Sequence, residues 1–143
     1  MLYIVNSLSD LLINYIKDDP VRPEIPAEFR VSSTTEIIAL MLDDNPAAIV
    51  CVAYRDFVPQ DCNELMPTPV TPTVAVFYTI WSYVPRAGRE LIQAVRKDLT
   101  TRKPEITKFV TLSPQTEMAR KFHFQNGASV FRSNETSVNY EYT

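Results

Sequence analysis

The chain has 143 residues, which is the length of one domain. Its composition, 45% apolar and 22% charged, excludes a disordered or collagen-like protein. No apolar run approaches the ~20 residues of a membrane span, and Met1–Val5 lacks the basic start of a signal peptide. Two cysteines without a His/Cys cluster imply neither a disulfide framework nor a zinc site. Residues 1–72 hold four basic and eleven acidic side chains and residues 73–143 hold ten and six, so we expect any anionic ligand on the second half.

The first thirty residues are predicted to form a strand and a helix. Residues 1–5 are apolar and suit an edge strand. Residues 7–10 (Ser-Leu-Ser-Asp) supply capping side chains for an amphipathic helix that carries apolar residues between 11 and 16 and stops at Asp19-Pro20. Three prolines make residues 20–29 irregular, with a short helix near their end.

A hairpin is predicted next. The apolar runs 36–42 and 47–54 flank the turn-forming sequence Asp-Asp-Asn-Pro at 43–46. A helix over the first run is the alternative, because its Ile, Ala, Leu and Met residues do not discriminate between the two. Residues 55–72 are polar and proline-rich and are predicted to form a long loop.

The clearest strand is residues 73–83, which are β-branched and aromatic with no Gly or Pro. Its apolar continuity predicts a central strand that is buried on both faces. Residues 84–88 (Val-Pro-Arg-Ala-Gly) end it. An amphipathic helix is then predicted over residues 89–100, with its leucine, isoleucine and valine side chains on one face.

The remaining elements are predicted to be a strand, a helix and a closing pair of strands. Residues 106–112 form the strand. Ser113 and Pro114 are expected to cap and begin the helix, which ends near Gly127. Residues 129–131 and 136–142 form the closing pair around Asn134-Glu135.

A buried strand that leads through a glycine-containing turn into a helix is an arrangement that favours phosphate binding. The N–H groups at the start of the helix are free, and the helix dipole adds about half a positive charge there. Arg86 and Arg89 flank the turn, and Gly88 lets the backbone approach a ligand closely. Only two glycines, Gly88 and Gly127, occur in the chain, which predicts that each has a specific role.

From residue 73 to residue 142 the chain resembles the GCN5-related N-acetyltransferase (GNAT) family. That family's pyrophosphate loop commonly reads R/Q-x-x-G-x-G/A, and residues 86–91 (Arg-Ala-Gly-Arg-Glu-Leu) keep its last glycine but not the earlier Arg/Gln and Gly. The family's next helix commonly reads N-x-x-A-x-x-[FL]-Y-x-x-x-G. Residues 116–127 of this chain keep the Ala, the Phe and the Gly of that pattern in register. They differ from it at two positions, where Thr116 replaces Asn and His123 replaces Tyr. Runs such as YTIWSY also resemble small GNAT-like proteins of phage genomes.

The resemblance implies an α/β fold with a mixed, mostly antiparallel sheet, flanking helices and a splay between the fourth and fifth strands. It implies acetyl-CoA as cofactor and transfer of its acetyl group to a small-molecule or peptide amine by direct attack in a ternary complex. The cytoplasm (the host cytoplasm for a phage protein) is the expected location, because the sequence shows no membrane span, signal start or disulfide framework; a homodimer is left open, and no membrane or nucleic-acid partner is expected. The cofactor-binding residues that it implies are Ile80, Trp81, Ser82, Arg86, Ala87, Gly88, Arg89, Thr116 and Arg120.

One candidate for the chemistry follows from the same alignment, and others follow from residue type. His123 stands where the family's tyrosine protonates the departing sulfur, and a pKa near 6.5 suits a proton donor. Contact with the cofactor and packing are the alternative roles for this lone histidine. Glu36 is a candidate base, although a carboxylate at a hairpin edge is commonly only solvated. Tyr78, Trp81 and Tyr83 are predicted to share one face of the strand, where they line an acceptor pocket or pack in the core.

The sequence is also compatible with two other functions. A degenerate loop and the missing tyrosine also fit a non-catalytic GNAT-fold protein that serves as a scaffold or binds a partner. A nucleic-acid-binding protein would require a continuous basic stripe, and the isoelectric point of about 5.1 argues against one.

Overall fold

A computed structural model describes all 143 residues. One sheet of eight strands forms its centre, with the order β1-β2-β3-β4-β5-β8-β6 and with β7 paired to β8. All pairs are antiparallel except β4 with β5, which confirms the predicted mixed sheet. The strands are β1 (Leu2–Ile4), β2 (Thr35–Leu42), β3 (Asn45–Arg55), β4 (Val74–Ser82), β5 (Lys108–Thr111), β6 (Ser113–Pro114), β7 (Ser129–Ser133) and β8 (Ser137–Tyr142).

Three α-helices and two 3₁₀ helices flank the sheet. The α-helices are α1 (Ala27–Arg30), α2 (Ala87–Arg102) and α3 (Glu117–Gln125), and the 3₁₀ helices are Leu11–Asp18 and Cys62–Leu65. The first predicted helix is therefore a 3₁₀ helix, which the Asp10 side chain caps by accepting the N–H of Leu12. No helix combines the length and the apolarity that crossing a membrane requires.

The predicted hairpin and the central strand are confirmed. Strands β2 and β3 pair directly around the turn, and β4 is buried along nearly all its length. Its two faces contribute to separate cores. Ala75 and Phe77 pack with the apolar face of α2, whereas Val74 and Val76 pack with residues of the N-terminal segment and the proline-rich loop.

The start of the last helix differs from its prediction. Ser113 and Pro114 form strand β6 against β8, and the helix begins three residues later than predicted, at Glu117. Thr116 caps it, because its hydroxyl accepts the N–H of Ala119 at 3.2 Å. A Ser-Pro pair starts a helix only where no partner strand competes, and here β8 supplies one. Gly127 ends the helix as predicted, with φ at +93°.

Candidate active site

The sheet opens between β4 and β5. These parallel strands pair only over Val74–Phe77 and Lys108–Thr111, and the Leu112 N–H then donates to the Phe77 carbonyl at 3.1 Å. Beyond Phe77, strand β4 continues for five residues without a partner on that side. The predicted splay between the fourth and fifth strands is thereby confirmed.

Backbone groups of β4 face this opening. The N–H of Tyr83 donates to the carbonyl of Ala47 on β3 at 2.8 Å. Because successive residues of a strand alternate in direction, the backbone groups of Trp81 then also face β3, whereas those of Ile80 and Ser82 face the opening. A ligand in the opening therefore meets main-chain donors and acceptors that the sheet does not use.

A bulge in β4 shapes the wall of the opening. The register with β3 shifts so that Cys51 pairs with Thr79 and Val52 pairs with Phe77, which leaves Tyr78 as the extra residue. The Tyr78 carbonyl, which has no partner strand, accepts from the Arg22 guanidinium. The bulge also places Tyr78 and Trp81, an odd number of residues apart, in the same core cluster. These two side chains therefore share a face, as predicted.

The start of α2 borders the same opening. The N–H groups of Gly88 and Arg89 have no hydrogen-bond partner, and Arg86 precedes them in the left-handed conformation with φ at +68°. Successive free N–H groups in this geometry form a concave donor site for anions, and the dipole of a 16-residue helix adds to it. No acidic side chain occupies these amides.

The opening is an apolar cavity of about 600 Å³, a volume typical of small-molecule sites. It passes through the sheet, because its walls come from the N-terminal segment on one face and from α2 and α3 on the other. No ionisable side chain is among its lining residues, which are Pro20, Val21, Ile80, Trp81, Ser82, Gly88, Pro114, Thr116, Met118, Ala119 and Phe122.

Five of the predicted cofactor-binding residues line this cavity: Ile80, Trp81, Ser82, Gly88 and Thr116. Ala87 is buried in the first turn of α2, and Arg86 and Arg89 lie exposed beside it. Arg120 does not reach the cavity. Its guanidinium forms an exposed ion pair with Glu117 at 3.3 Å and lies over the Phe124 ring.

His123 lies outside the cavity. Only 4% of its surface is exposed, and its ring is stacked on that of Tyr140. The Ser113 hydroxyl gives its proton to the Thr111 hydroxyl, so Ser113 accepts a hydrogen bond from His123 Nε2 at 3.2 Å. The other ring nitrogen of His123, Nδ1, is then unprotonated and accepts from the Tyr142 hydroxyl at 2.6 Å. Burial lowers the pKa of His123 to about 4. The imidazole is therefore neutral and hydrogen-bonded to side chains of the sheet, and we do not assign it the role of protonating the departing sulfur.

Acidification is expected to destabilise the protein through His123, the only histidine of the chain. The unfolded chain takes up a proton near pH 6.5, whereas the folded protein resists doing so until about pH 4. Between pH 7 and pH 5 the free energy of unfolding should therefore fall by about 2 kcal/mol. Urea titrations at both pH values measure it. His123→Gln, which cannot titrate, should lose most of this dependence, and an unchanged slope in that variant would contradict the assignment.

Glu36 lies far from the cavity. Its carboxylate forms an ion pair with Arg102 at 2.9 Å and accepts from the Tyr54 hydroxyl. Arg102 is the last residue of α2, whose first turn borders the cavity, and a rise of ~1.5 Å per residue separates the two ends by about 20 Å. The structure thus does not bring Glu36 to an acceptor, and the role of base is withdrawn from it.

The two predicted acceptor residues have different positions. Tyr78 is fully buried, and its ring meets Phe29 edge to face, so it packs in the core. Tyr83 is 42% exposed at the rim of the cavity, where its hydroxyl accepts from Trp81 Nε1 at 2.9 Å and donates to Asp18 at 2.7 Å. Burial and the Asp18 carboxylate raise the pKa of Tyr83 to about 12. Tyr83 therefore keeps its proton and acts as a donor.

Sequence reasoning missed the wall that the N-terminal segment supplies. Pro20 and Val21 line the cavity because the buried Asp19 carboxylate holds their backbone, accepting from the N–H groups of Val21 and Arg22 at 2.9 Å. Its other oxygen accepts from the Arg30 guanidinium at 2.8 Å. A run of Asp-Asp-Pro is usually a solvated turn, so the sequence carried no signal for this role.

Comparison with solved structures relates this arrangement to known proteins. A malonyl-CoA decarboxylase from Agrobacterium vitis is 26% identical over 85% of this chain, with a TM-score of 0.70, and the chain spans only 35% of that protein. Tetrahymena GCN5 is 13% identical over 99% of this chain and 94% of its own, with a TM-score of 0.64. The PaiA N-acetyltransferase from Thermoplasma acidophilum, crystallised with coenzyme A, is 12% identical over 76% of this chain and 60% of its own, with a TM-score of 0.55.

No family model matches the sequence, and no curated protein does. The likeness is therefore one of structure, and it covers nearly the whole chain in the GCN5 comparison. Together with the splayed parallel pair β4–β5, it shows that the chain has the GNAT fold, as the resemblance of its second half implied.

Proposed function

We propose that this chain, which has the GNAT fold, binds acetyl-CoA in the cavity between β4 and β5 and transfers the acetyl group to an amine. One observation carries the proposal. The unpaired end of β4 and the first turn of α2, where the amides of Gly88 and Arg89 are free, border the same apolar cavity, which Gly88 itself lines. Coenzyme A in the structure of the PaiA enzyme supports the choice of ligand.

The residues present fit such a ligand. The N–H groups of Gly88 and Arg89 are available for a diphosphate, and the side chains of Arg86 and Arg89 add positive charge beside them. The apolar walls at Ile80 and Phe122 suit an aliphatic arm. Bound acetyl-CoA would supply the activated thioester, and the backbone N–H of Ile80 or Ser82 would polarise its carbonyl.

The reaction forms a carbon–nitrogen bond and breaks the carbon–sulfur bond. The amine loses one proton, and the departing sulfur gains one. Because no ionisable side chain lines the cavity, the chain offers no direct base there, and the amine has to arrive uncharged or pass its proton to water. The contribution of the protein is therefore positioning, exclusion of water and stabilisation of the developing charge on oxygen.

A non-catalytic GNAT-fold protein is the second candidate. The observation in its favour is the same absence of ionisable lining, together with the neutral, buried His123 in place of the family's tyrosine. Such a protein would bind a partner or an acyl-CoA without turning it over.

Calorimetry and a thiol-release assay separate the two candidates. Acetyl-CoA titrated into the protein should bind with a stoichiometry of one, and a panel of primary amines should then release free coenzyme A. Binding without release would favour the non-catalytic candidate. Absence of any binding at high protein concentration would remove both the cofactor and the transferase proposal.

A further inference from the structure

A cluster of aromatic side chains around a carboxylate lies beside the cavity, whose wall includes one of its members, Trp81. Tyr83 donates to Asp18 Oδ2 at 2.7 Å and accepts from Trp81 Nε1 at 2.9 Å. The ring of Tyr15 meets the ring of Tyr83 edge to face, with centroids 5.8 Å apart. We call Tyr15, Asp18, Trp81 and Tyr83 the rim cluster.

The rim cluster is continuous with the cavity on the face of the sheet opposite α2. Trp81 belongs both to the cavity wall and to the core of that face. Pro20 and Val21, which closely follow Asp18, form the wall beside it. The free amides of α2 lie on the opposite face of the sheet from the rim cluster. A cofactor that these amides hold therefore leaves the rim cluster free for the acceptor.

The carboxylate of Asp18 carries a charge that no cation in the chain neutralises. Asp18 is exposed and takes part in no ion pair, and the adjacent Lys17 forms none either. The neighbouring Asp19 differs, because the guanidinium of Arg30 pairs with it in the core at 2.8 Å. Asp18 is thus a free negative charge with aromatic rings beside it.

We propose that the rim cluster binds a positive charge on the acceptor, which makes the acceptor an aliphatic amine with a second cationic group, such as a short diamine. This inference rests on the proposed transferase function and specifies its substrate class. A reacting nitrogen has to be uncharged, so the carboxylate acts on the distal ammonium group. The Asp18 carboxylate and the 42% exposed Tyr83 ring beside it together favour an ammonium ion over a neutral or anionic group.

The test compares three acceptors of equal chain length and different charge: putrescine, n-butylamine and γ-aminobutyrate. We expect kcat/KM to be highest for putrescine and lowest for the amino acid. Asp18→Asn keeps an acceptor for the Tyr83 hydroxyl and removes the charge, so it should lower kcat/KM for putrescine about fivefold and leave n-butylamine within about twofold. Glu24→Gln, an exposed carboxylate of the same segment, is the matched control and should change neither.

Tyr83→Phe provides a second variant, because it leaves the ring and removes the hydrogen bond that orients Asp18. It should weaken the preference for putrescine in the same direction. Equal rates with putrescine and n-butylamine in the wild type, or an unchanged preference in Asp18→Asn, would overturn the inference and leave the transferase function intact.

Calorimetric titration of putrescine without acetyl-CoA separates this inference from the function on which it rests. If no amine is acetylated but putrescine binds to the wild type and not to Asp18→Asn, the result supports the rim cluster as a cation site and contradicts the transferase proposal. If putrescine neither binds nor reacts, the rim cluster is not a cation site.

Discussion

Replacing Gly88 by valine is expected to weaken acetyl-CoA binding about 100-fold while the protein stays folded, since two hydrogen bonds to a charged ligand contribute roughly this much. A Cβ at this position already meets the Phe122 ring at 3.2 Å, so the larger side chain has to displace that ring, which lines the cavity. It also shields the free amides of Gly88 and Arg89 from a ligand. Calorimetry with acetyl-CoA measures the loss, and circular dichroism checks the fold.

The second glycine is the matched control. Gly127 has φ at +93° and open space where a Cβ would lie, so Gly127→Ala strains the backbone without entering the cavity. It should lower stability by about 1 kcal/mol and leave acetyl-CoA affinity unchanged. A rescue experiment sharpens the test: Gly88→Ala should bind more weakly than the wild type, and adding Phe122→Leu should restore part of the affinity. Full affinity in Gly88→Val would show that the ligand does not approach this turn.

Replacing Arg30 by methionine is expected to lower the free energy of unfolding by about 3–5 kcal/mol. Arg30 is completely buried and donates to Asp19 at 2.8 Å, to the Ile25 carbonyl at 2.9 Å and to the Arg22 carbonyl at 2.6 Å. The substitution leaves the Asp19 carboxylate buried without its cation and the Ile25 carbonyl without its donor, while the Arg22 carbonyl keeps only the N–H of Ile25 at 3.2 Å. Denaturant unfolding at neutral pH measures the effect.

Arg102→Met is the matched control for this prediction. Arg102 pairs with Glu36 at a site where its side chain is 30% exposed, so water screens the pair and its loss should cost less than about 1 kcal/mol. Arg30→Met should also weaken acetyl transfer more than Arg102→Met at temperatures where both are folded, because Asp19 holds the cavity wall at Pro20 and Val21. Equal stabilities of the two variants would contradict the role of the buried pair.

Local patterns were sufficient for most elements of the second half. Residues 73–83 have the β-branched and aromatic composition of a buried strand, and the structure has β4 at Val74–Ser82. The helix predicted for residues 89–100 begins two residues earlier, at Ala87, because Arg86 adopts a left-handed conformation that turns the chain into it. These elements are dictated by side-chain periodicity within a short window, which the sequence displays directly.

The site could be predicted only where the backbone supplies it. Ile80, Ser82 and Gly88 line the cavity, and the sequence indicated them because a motif records position in a strand–turn–helix unit. His123 and Glu36 were assigned chemistry from residue type and alignment. Their side chains instead meet Tyr142 and Arg102, residues 19 and 66 positions away in the chain.

The sequence by itself determined the alternation of strands and helices, the strand–glycine–helix unit and the position of both glycines, because each depends on a few neighbouring residues. Tertiary structure alone decided which side chains face the cavity. The bulge at Tyr78, the ion pair between Asp19 and Arg30 and the meeting of Asp18 with Tyr83 join segments 11 to 65 residues apart. Contacts of that separation are created by the closing of the sheet, and no local pattern encodes them.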